Sequence, residues 1–286
     1  MPAALLEHTV PLLVLAGLLG LILGSFATCA GFRLARGGSV LSPTRSYCPA
    51  CGHTLSWREN LPLLGWLLQG GRCRFCQGRI PARYPLTELA SGGFALGAMA
   101  VFGPTPHFLA AVCFATLLLV LSLIDLETYL LPDALTRPGA AAAFACSLAL
   151  PPAWTLGIGW ERAAAGALLG GGGLWLVSVL YRRLRGVEGL GLGDAKLMLL
   201  VGALLGPAAV AITLFAGACL ALPAGLVAMR RQSGLVDDKT DDQTDDEPGR
   251  GLHTRLPFGP FLCAGAAGYL LAGPWLLNWW LGLPLP

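Results

Sequence analysis

Two aspartates carry the chemistry available to this sequence. Asp125 sits in Leu123-Ile124-Asp125-Leu126-Glu127-Thr128-Tyr129-Leu130-Leu131-Pro132-Asp133, and Asp194 in Gly189-Leu190-Gly191-Leu192-Gly193-Asp194-Ala195-Lys196-Leu197. Each lies at the edge of an apolar run, where an ionisable residue is expensive and marks a functional site by default. Two carboxyls brought within a few ångströms share one proton. The charged member then deprotonates a water while the protonated one hydrogen-bonds a scissile carbonyl, as in aspartic proteases. Gly191 and Gly193 leave room for the backbone of an extended substrate. Lys196 either tunes the charge of the pair or snorkels to the interface. A purely structural role is the competing explanation: Asp194 caps one helix and Asp125 ends another. Glu127 and Asp133 are rivals for the first position, and Asp133, following Pro132, is placed as an N-cap. The Gly191-x-Gly193 pair is no dinucleotide fingerprint, because Lys196 stands where a third glycine is required and no strand precedes it.

A second group with chemical potential is Cys48-Pro49-Ala50-Cys51 with Cys73-Arg74-Phe75-Cys76. Two CxxC knuckles close a tetrahedral four-thiolate zinc site, and the intervening run of about twenty residues has the usual spacing. Two disulfides or a redox CxxC are the alternatives. A cytoplasmic placement disfavours the first, and no βαβ pattern surrounds either pair. Four thiolates leave no open coordination position, so the metal's role is structural or substrate-docking. The other five cysteines, Cys29, Cys113, Cys146, Cys219 and Cys263, are expected to be small buried hydrophobes.

The elements that must position these groups are helices in a bilayer. Of 286 residues, 55% are hydrophobic and only 12% charged, against about 25% charged in a soluble domain. The chain cannot cover itself with polar surface. Apolar segments run over Thr9–Phe32, Leu86–Phe102, His107–Ile124, Leu135–Leu150 and Ala163–Leu180, then to Leu205, to Met229, and onward from Pro257. This predicts an all-α polytopic bundle of about eight transmembrane helices. Glu7 and the absence of Lys or Arg in the first eight residues argue for a retained first helix rather than a cleaved signal.

The segment from 33 to 85 holds Arg33, Arg36, Arg45, Arg58, Arg72, Arg74, Arg79 and Arg83 against the single acid Glu59, which places it in the cytoplasm. Arg182, Arg183, Arg185, Arg230 and Arg231 mark further cytoplasmic ends. Under this topology Asp125 and Asp194 fall on the same face. The net charge of +3 is small, and the basic residues flank apolar segments, so they signal topology rather than a nucleic-acid surface. The organisation expected is a first transmembrane helix (1–32), a cytoplasmic zinc-binding segment (33–85) and a membrane core (86–286). That core contains an acidic cytoplasmic loop (232–254) whose repeat at 237–247 reads as solvated and disordered. Gly170 to Gly173 permit close helix packing, and Trp275, Trp279 and Trp280 form an interfacial belt.

Gly191-Leu192-Gly193-Asp194 resembles the GxGD motif of intramembrane aspartyl proteases, and Gly193-Asp194-Ala195-Lys196-Leu197 resembles its setting in the type IV prepilin peptidases. Gly24-Ser25-Phe26, the paired CxxC knuckles, Arg83-Tyr84-Pro85-Leu86-Thr87-Glu88-Leu89, Ile124-Asp125 through Leu131-Pro132-Asp133, and Pro257-Phe258-Gly259-Pro260 match that family in order across almost the whole chain. The chain departs from it at Thr28, where the family commonly has Asn, and at Ala35, where it has Pro. The resemblance implies Asp125 and Asp194 as the catalytic pair, Gly191, Gly193 and Lys196 as motif support, and Cys48, Cys51, Cys73 and Cys76 as zinc ligands. It implies removal of the short basic leader from type IV prepilins and type II secretion pseudopilins at the cytoplasmic face of the bacterial inner membrane. Methylation of the new N-terminus with S-adenosylmethionine would follow.

Two other classes compete. A proton-coupled transporter would use membrane carboxylates as a relay, but it predicts inverted repeats with broken helices near the midplane, and none is found. A non-catalytic pilus or secretion assembly factor would grip pilin helices on a degenerate peptidase fold, which the intact aspartates argue against.

Overall fold

A computed structural model describes residues 3–151, 156, 158–186, 191–236 and 257–281. The acidic repeat at 237–247 and Gly189 lie outside the described residues, as do the side chains of Trp279 and Trp280. The described chain is helical: α1 (Ala3–Ala35), α2 (Leu64–Leu68), α3 (Arg83–Phe102), α4 (Pro106–Thr128), α5 (Asp133–Ala149), α6 (Trp160–Ala167), α7 (Leu174–Arg185), α8 (Leu192–Leu205), α9 (Pro207–Val236) and α10 (Gly259–Leu281). A π-helical turn, Leu168–Gly173, joins α6 to α7. Apart from the short α2, and with α6 and α7 taken as one rod, these fall where the eight apolar segments were expected. Five are long and apolar enough to cross a membrane: 10–35, 83–102, 106–128, 160–185 and 207–228.

Local sequence sets the corners. Gly103 at φ 62° ends α3, and Pro106 opens α4, whose first turn has no use for the missing amide hydrogen. Gly206 at φ 83° ends α8, and Pro207 starts α9 directly. α4 stops at Tyr129, a left-handed residue whose amide donates to the Asp125 carbonyl.

Packing follows the small residues. Lipid tails are as apolar as leucine, so helices associate in a bilayer through close backbone approach. On α1, Gly20 and Gly24 lie against α3 at Ser91 and Glu88, and Ala27 and Ala30 pack on Val120 and Ile124 of α4. In the second half, Gly166 of α6 and Gly202 of α8 face each other's backbone, so that a β-carbon on either would drive into the other's carbonyl. Gly170 meets the Met198 carbonyl in the same way and Gly171 meets Leu199, whereas Gly172 and Gly173 have open space around them. The glycine run therefore serves close packing through two of its four residues. α8 has 14 residues and rises about 21 Å, short of the ~30 Å hydrocarbon core. It is enclosed by α5, α6, α9 and the π-helical turn, with Leu197, Met198, Leu200 and Val201 fully buried.

The scattered cysteines correct one expectation. Cys263 is buried, but Cys113, Cys146 and Cys219 are on the outside of the bundle and Cys29 is half-buried. In a membrane the outward face is apolar too, so hydrophobic surroundings in sequence do not imply an interior position.

Candidate functional site

Asp125 occupies the last turn of α4, and Asp194 the first turn of α8, three residues into the helix. α10 packs on both helices. The two carboxyls are near enough for their charges to interact, and both charges act on Cys263 of α10. Asp125 is 5% exposed, and its Oδ2 has no hydrogen-bond partner. A buried polar atom left in that state costs roughly 1–3 kcal/mol, so it marks a place where a water or a substrate group belongs. The carboxyl is pressed against the start of α10: a β-carbon on Gly259 would lie 2.5 Å from Oδ2 and 3.0 Å from Cγ. Around Asp194, the α-carbon of Gly191 is so placed that a β-carbon there would be 3.3 Å from Oδ2. Gly193 sits against Leu131, the buried residue of the α4–α5 loop.

The rival carboxylates are all taken. Glu127 bridges Arg36 at 2.8 Å and Arg83 at 2.9 Å, tying the ends of α1 and α3 to α4. Asp133 binds Lys196 and, at 2.9 Å, Arg137 one turn along α5. It is the first residue of α5, with Pro132 in the cap position. Lys196 is thus the pin between the start of α5 and the first turns of α8, where the sequence had offered charge tuning or snorkelling. Glu88 accepts from the Leu63 amide at 2.7 Å, and Glu59 from the amide and hydroxyl of Ser56 at 2.8 and 2.7 Å. Among the described residues, Asp125 is the one acid left with a buried oxygen that has no partner.

The four cysteines converge. Their sulfurs lie within 4.8 Å of one another, with Cys48 and Cys76 at 3.8 Å and Cys51 and Cys73 at 4.0 Å. A tetrahedral zinc with Zn–S bonds of about 2.3 Å sets sulfurs about 3.8 Å apart, whereas disulfides would bring pairs to about 2.05 Å. All four are free thiols. The two knuckles share one backbone pattern. Cys48 donates to the His53 carbonyl and accepts from the Gly52 amide, and Cys73 does the same with Gly78 and Gln77. Gly52 and Gln77 both take positive φ at the equivalent position. The amides of Cys76 and Phe75 pull the Cys73 thiol down to about 7, while Cys51 in the same cluster is pushed up to about 11. The donor set and its spacing fit zinc.

A cavity of about 180 Å³ lies between α1, the four-cysteine segment and α3. Phe32, Tyr47, Trp66 and Tyr84 supply aromatic walls, with Glu88 and Gln69 among the polar groups lining it. The buried Oε1 of Gln69 has no partner. The sequence offered no signal for this cavity, which arises only when the segment between α1 and α3 folds back on both. Likewise, the closeness of Gly259 and Cys263 to the aspartates depends on how α10 docks.

The chain matches the family model for the bacterial peptidase A24 N-terminal domain over residues 18–102, and that for the type IV leader peptidase family over residues 112–226. The four cysteines fall in the first and both aspartates in the second. It is 41% identical over 251 residues to a prepilin leader peptidase/N-methyltransferase of Burkholderia pseudomallei (strain 1026b), covering 86% of this chain and 73% of that protein. With the protein of the same name from Myxococcus xanthus it shares 32% over 306 residues, covering 90% and 89%. With that of Aeromonas hydrophila it shares 36% over 237 residues, covering 83% and 74%. No solved structure matches it.

Proposed function

The chain belongs to the type IV leader peptidase family, and on that premise we propose that it is a membrane aspartic endopeptidase that removes the leader from prepilins or pseudopilins and N-methylates the product. Asp125 and Asp194 are the catalytic pair. They hold one proton between them. The ionised carboxyl takes a proton from a water whose oxygen adds to the scissile carbonyl, and the protonated one donates to that carbonyl's oxygen. Collapse of the tetrahedral diol breaks the C–N bond as the leaving amine takes the proton that the dyad had drawn from water, and a diol hydroxyl returns its proton to the dyad. The observation that carries this reading is selective. Glu59, Glu88, Glu127 and Asp133 are satisfied by partners, whereas Asp125 is buried with an orphan oxygen beside Asp194.

Gly191 and Gly193 keep the approach to Asp194 open, and Lys196 holds α8 in place through Asp133 rather than entering the chemistry. Cys48, Cys51, Cys73 and Cys76 hold a zinc ion that closes the segment between α1 and α3. The donor for methylation is S-adenosylmethionine, which supplies an electrophilic methyl group. The cavity lined by Trp66, Gln69 and Tyr84 fits such a ligand through its aromatic walls and the unpartnered Gln69 oxygen. The site works at the cytoplasmic face of the bacterial inner membrane, where a basic leader meets it while the substrate's apolar helix stays in the bilayer. The test is leader cleavage of a co-expressed prepilin by the wild type, Asp125→Asn and Asp194→Asn. Both variants should accumulate uncut precursor at normal protein levels. Cleavage near the wild-type rate by either one would overturn the assignment.

A further inference from the structure

The zinc segment carries an apolar surface that the peptidase chemistry does not use. On α2 and the turn before it, Leu61, Leu64, Leu67 and Leu68 are 36%, 55%, 62% and 79% exposed. Leu64 and Leu68, four residues apart, share one face of α2 with Leu67 beside them, and Leu61 lies in the turn before it. The opposite face is used up: Gly65 lies against the Glu59 carbonyl, and the Trp66 indole donates to the Ile80 carbonyl at 3.1 Å.

The height of α2 is fixed by its bonds to α3. Twenty residues of α3 rise about 30 Å, the thickness of the hydrocarbon core, so Arg83 stands at its cytoplasmic boundary. Glu88 is five residues, about 7.5 Å, further into that helix, and its side chain leans back toward the N-terminus. It grips the Leu63 amide immediately before α2. Ile80, which holds Trp66, is three residues before Arg83. α2 is therefore held between a contact just inside Arg83 and one just outside it, and straddles the boundary where acyl chains meet the headgroup layer.

We propose that α2 lies in the cytoplasmic leaflet, with its leucines among acyl chains and anionic phospholipid headgroups against the neighbouring arginines. The occupant follows from continuity with the membrane-spanning surface of α3 and from charge. Trp57 is exposed with the Arg58 guanidinium 5.2 Å from its ring centre, the pairing of aromatic and basic groups found at interfaces. The segment 33–85 carries eight arginines against one acid, and each basic residue near an anionic surface adds to the attraction. The zinc site then braces a membrane-resting platform.

The experiment places a photoactivatable benzoylphenylalanine at Leu67 or Leu68 of the full chain, reconstituted in phosphatidylethanolamine and phosphatidylglycerol vesicles. Adducts are read by mass spectrometry. Leu15, on the outward face of α1, is the lipid-facing reference, and Gln77, on the second knuckle, the water-facing one. Zinc content and leader cleavage report folding, and Leu64 takes the probe if a variant loses its zinc. Lipid adducts at 67 and 68 like those at 15, and absent at 77, are expected. Their absence at 67 and 68 while 15 reacts overturns the proposal. So does loss of those adducts to a crosslinked prepilin or second copy when either is present.

Discussion

Replacing Gly259 by alanine puts a single methyl group against Asp125, one of the proposed catalytic pair. A β-carbon there would be 2.5 Å from Asp125 Oδ2, while ordinary van der Waals contact begins at 3.4 Å, so the oxygen must retreat by about 0.9 Å (3.4 − 2.5) or α10 must move as far. The neighbour is a short carboxyl on a packed helix end, 5% exposed, with no room to swing aside as a long side chain would. A displacement of about 1 Å in a reacting group costs on the order of 100-fold in rate. The assay is kcat/KM for leader cleavage by purified enzyme, with zinc content and thermal unfolding as folding controls. Gly268→Ala on the same helix, where a β-carbon meets nothing within 4 Å, should retain activity. Wild-type cleavage by Gly259→Ala would refute the contact between Asp125 and α10 as a feature of the active enzyme.

Other perturbations test the frame around the pair. Gly202→Val should abolish folded protein, because its side chain would enter the Gly166 carbonyl, whereas Gly173→Ala, with open space around it, should express normally; detergent-extracted yield and size-exclusion profile separate them. Lys196→Met and Asp133→Asn should each lower thermal stability, with a double-mutant coupling of about 1 kcal/mol for this half-exposed pair, and should slow cleavage far less than either dyad substitution. Cys51→Ser should lose bound zinc by elemental analysis and loosen the segment between α1 and α3, raising its susceptibility to protease, with leader cleavage falling as a consequence.

Much of the site was legible because membranes make polar residues conspicuous. Asp125 and Asp194 stood out as carboxylates at the edges of apolar runs, and the arginine pattern put both on one face. The knuckles were equally visible, since CxxC spacing encodes the local turn and needs little tertiary context. Burial was less legible. Cys113, Cys146 and Cys219 sit in apolar stretches yet face outward, because a bilayer rewards hydrophobicity on both sides of a helix. Asp125 was preferred to Glu127 and Asp133 only through the family resemblance, and the differing partners of these three acids on one short stretch came only with the tertiary structure.

The sequence by itself determined the helical membrane architecture and the two sets of candidate residues, the aspartates and the four cysteines. These rest on composition, charge asymmetry and short-range spacing, which act over one helix or one turn. Tertiary structure alone decided which carboxylates are paired off and which oxygen is left without a partner. It also set the fit of α10 against Asp125, the cavity between α1 and α3, and the level of α2 against the membrane-spanning helices. Each depends on contacts between residues far apart in the chain, where a few tenths of an ångström and one hydrogen bond separate a partnered acid from an unpartnered one.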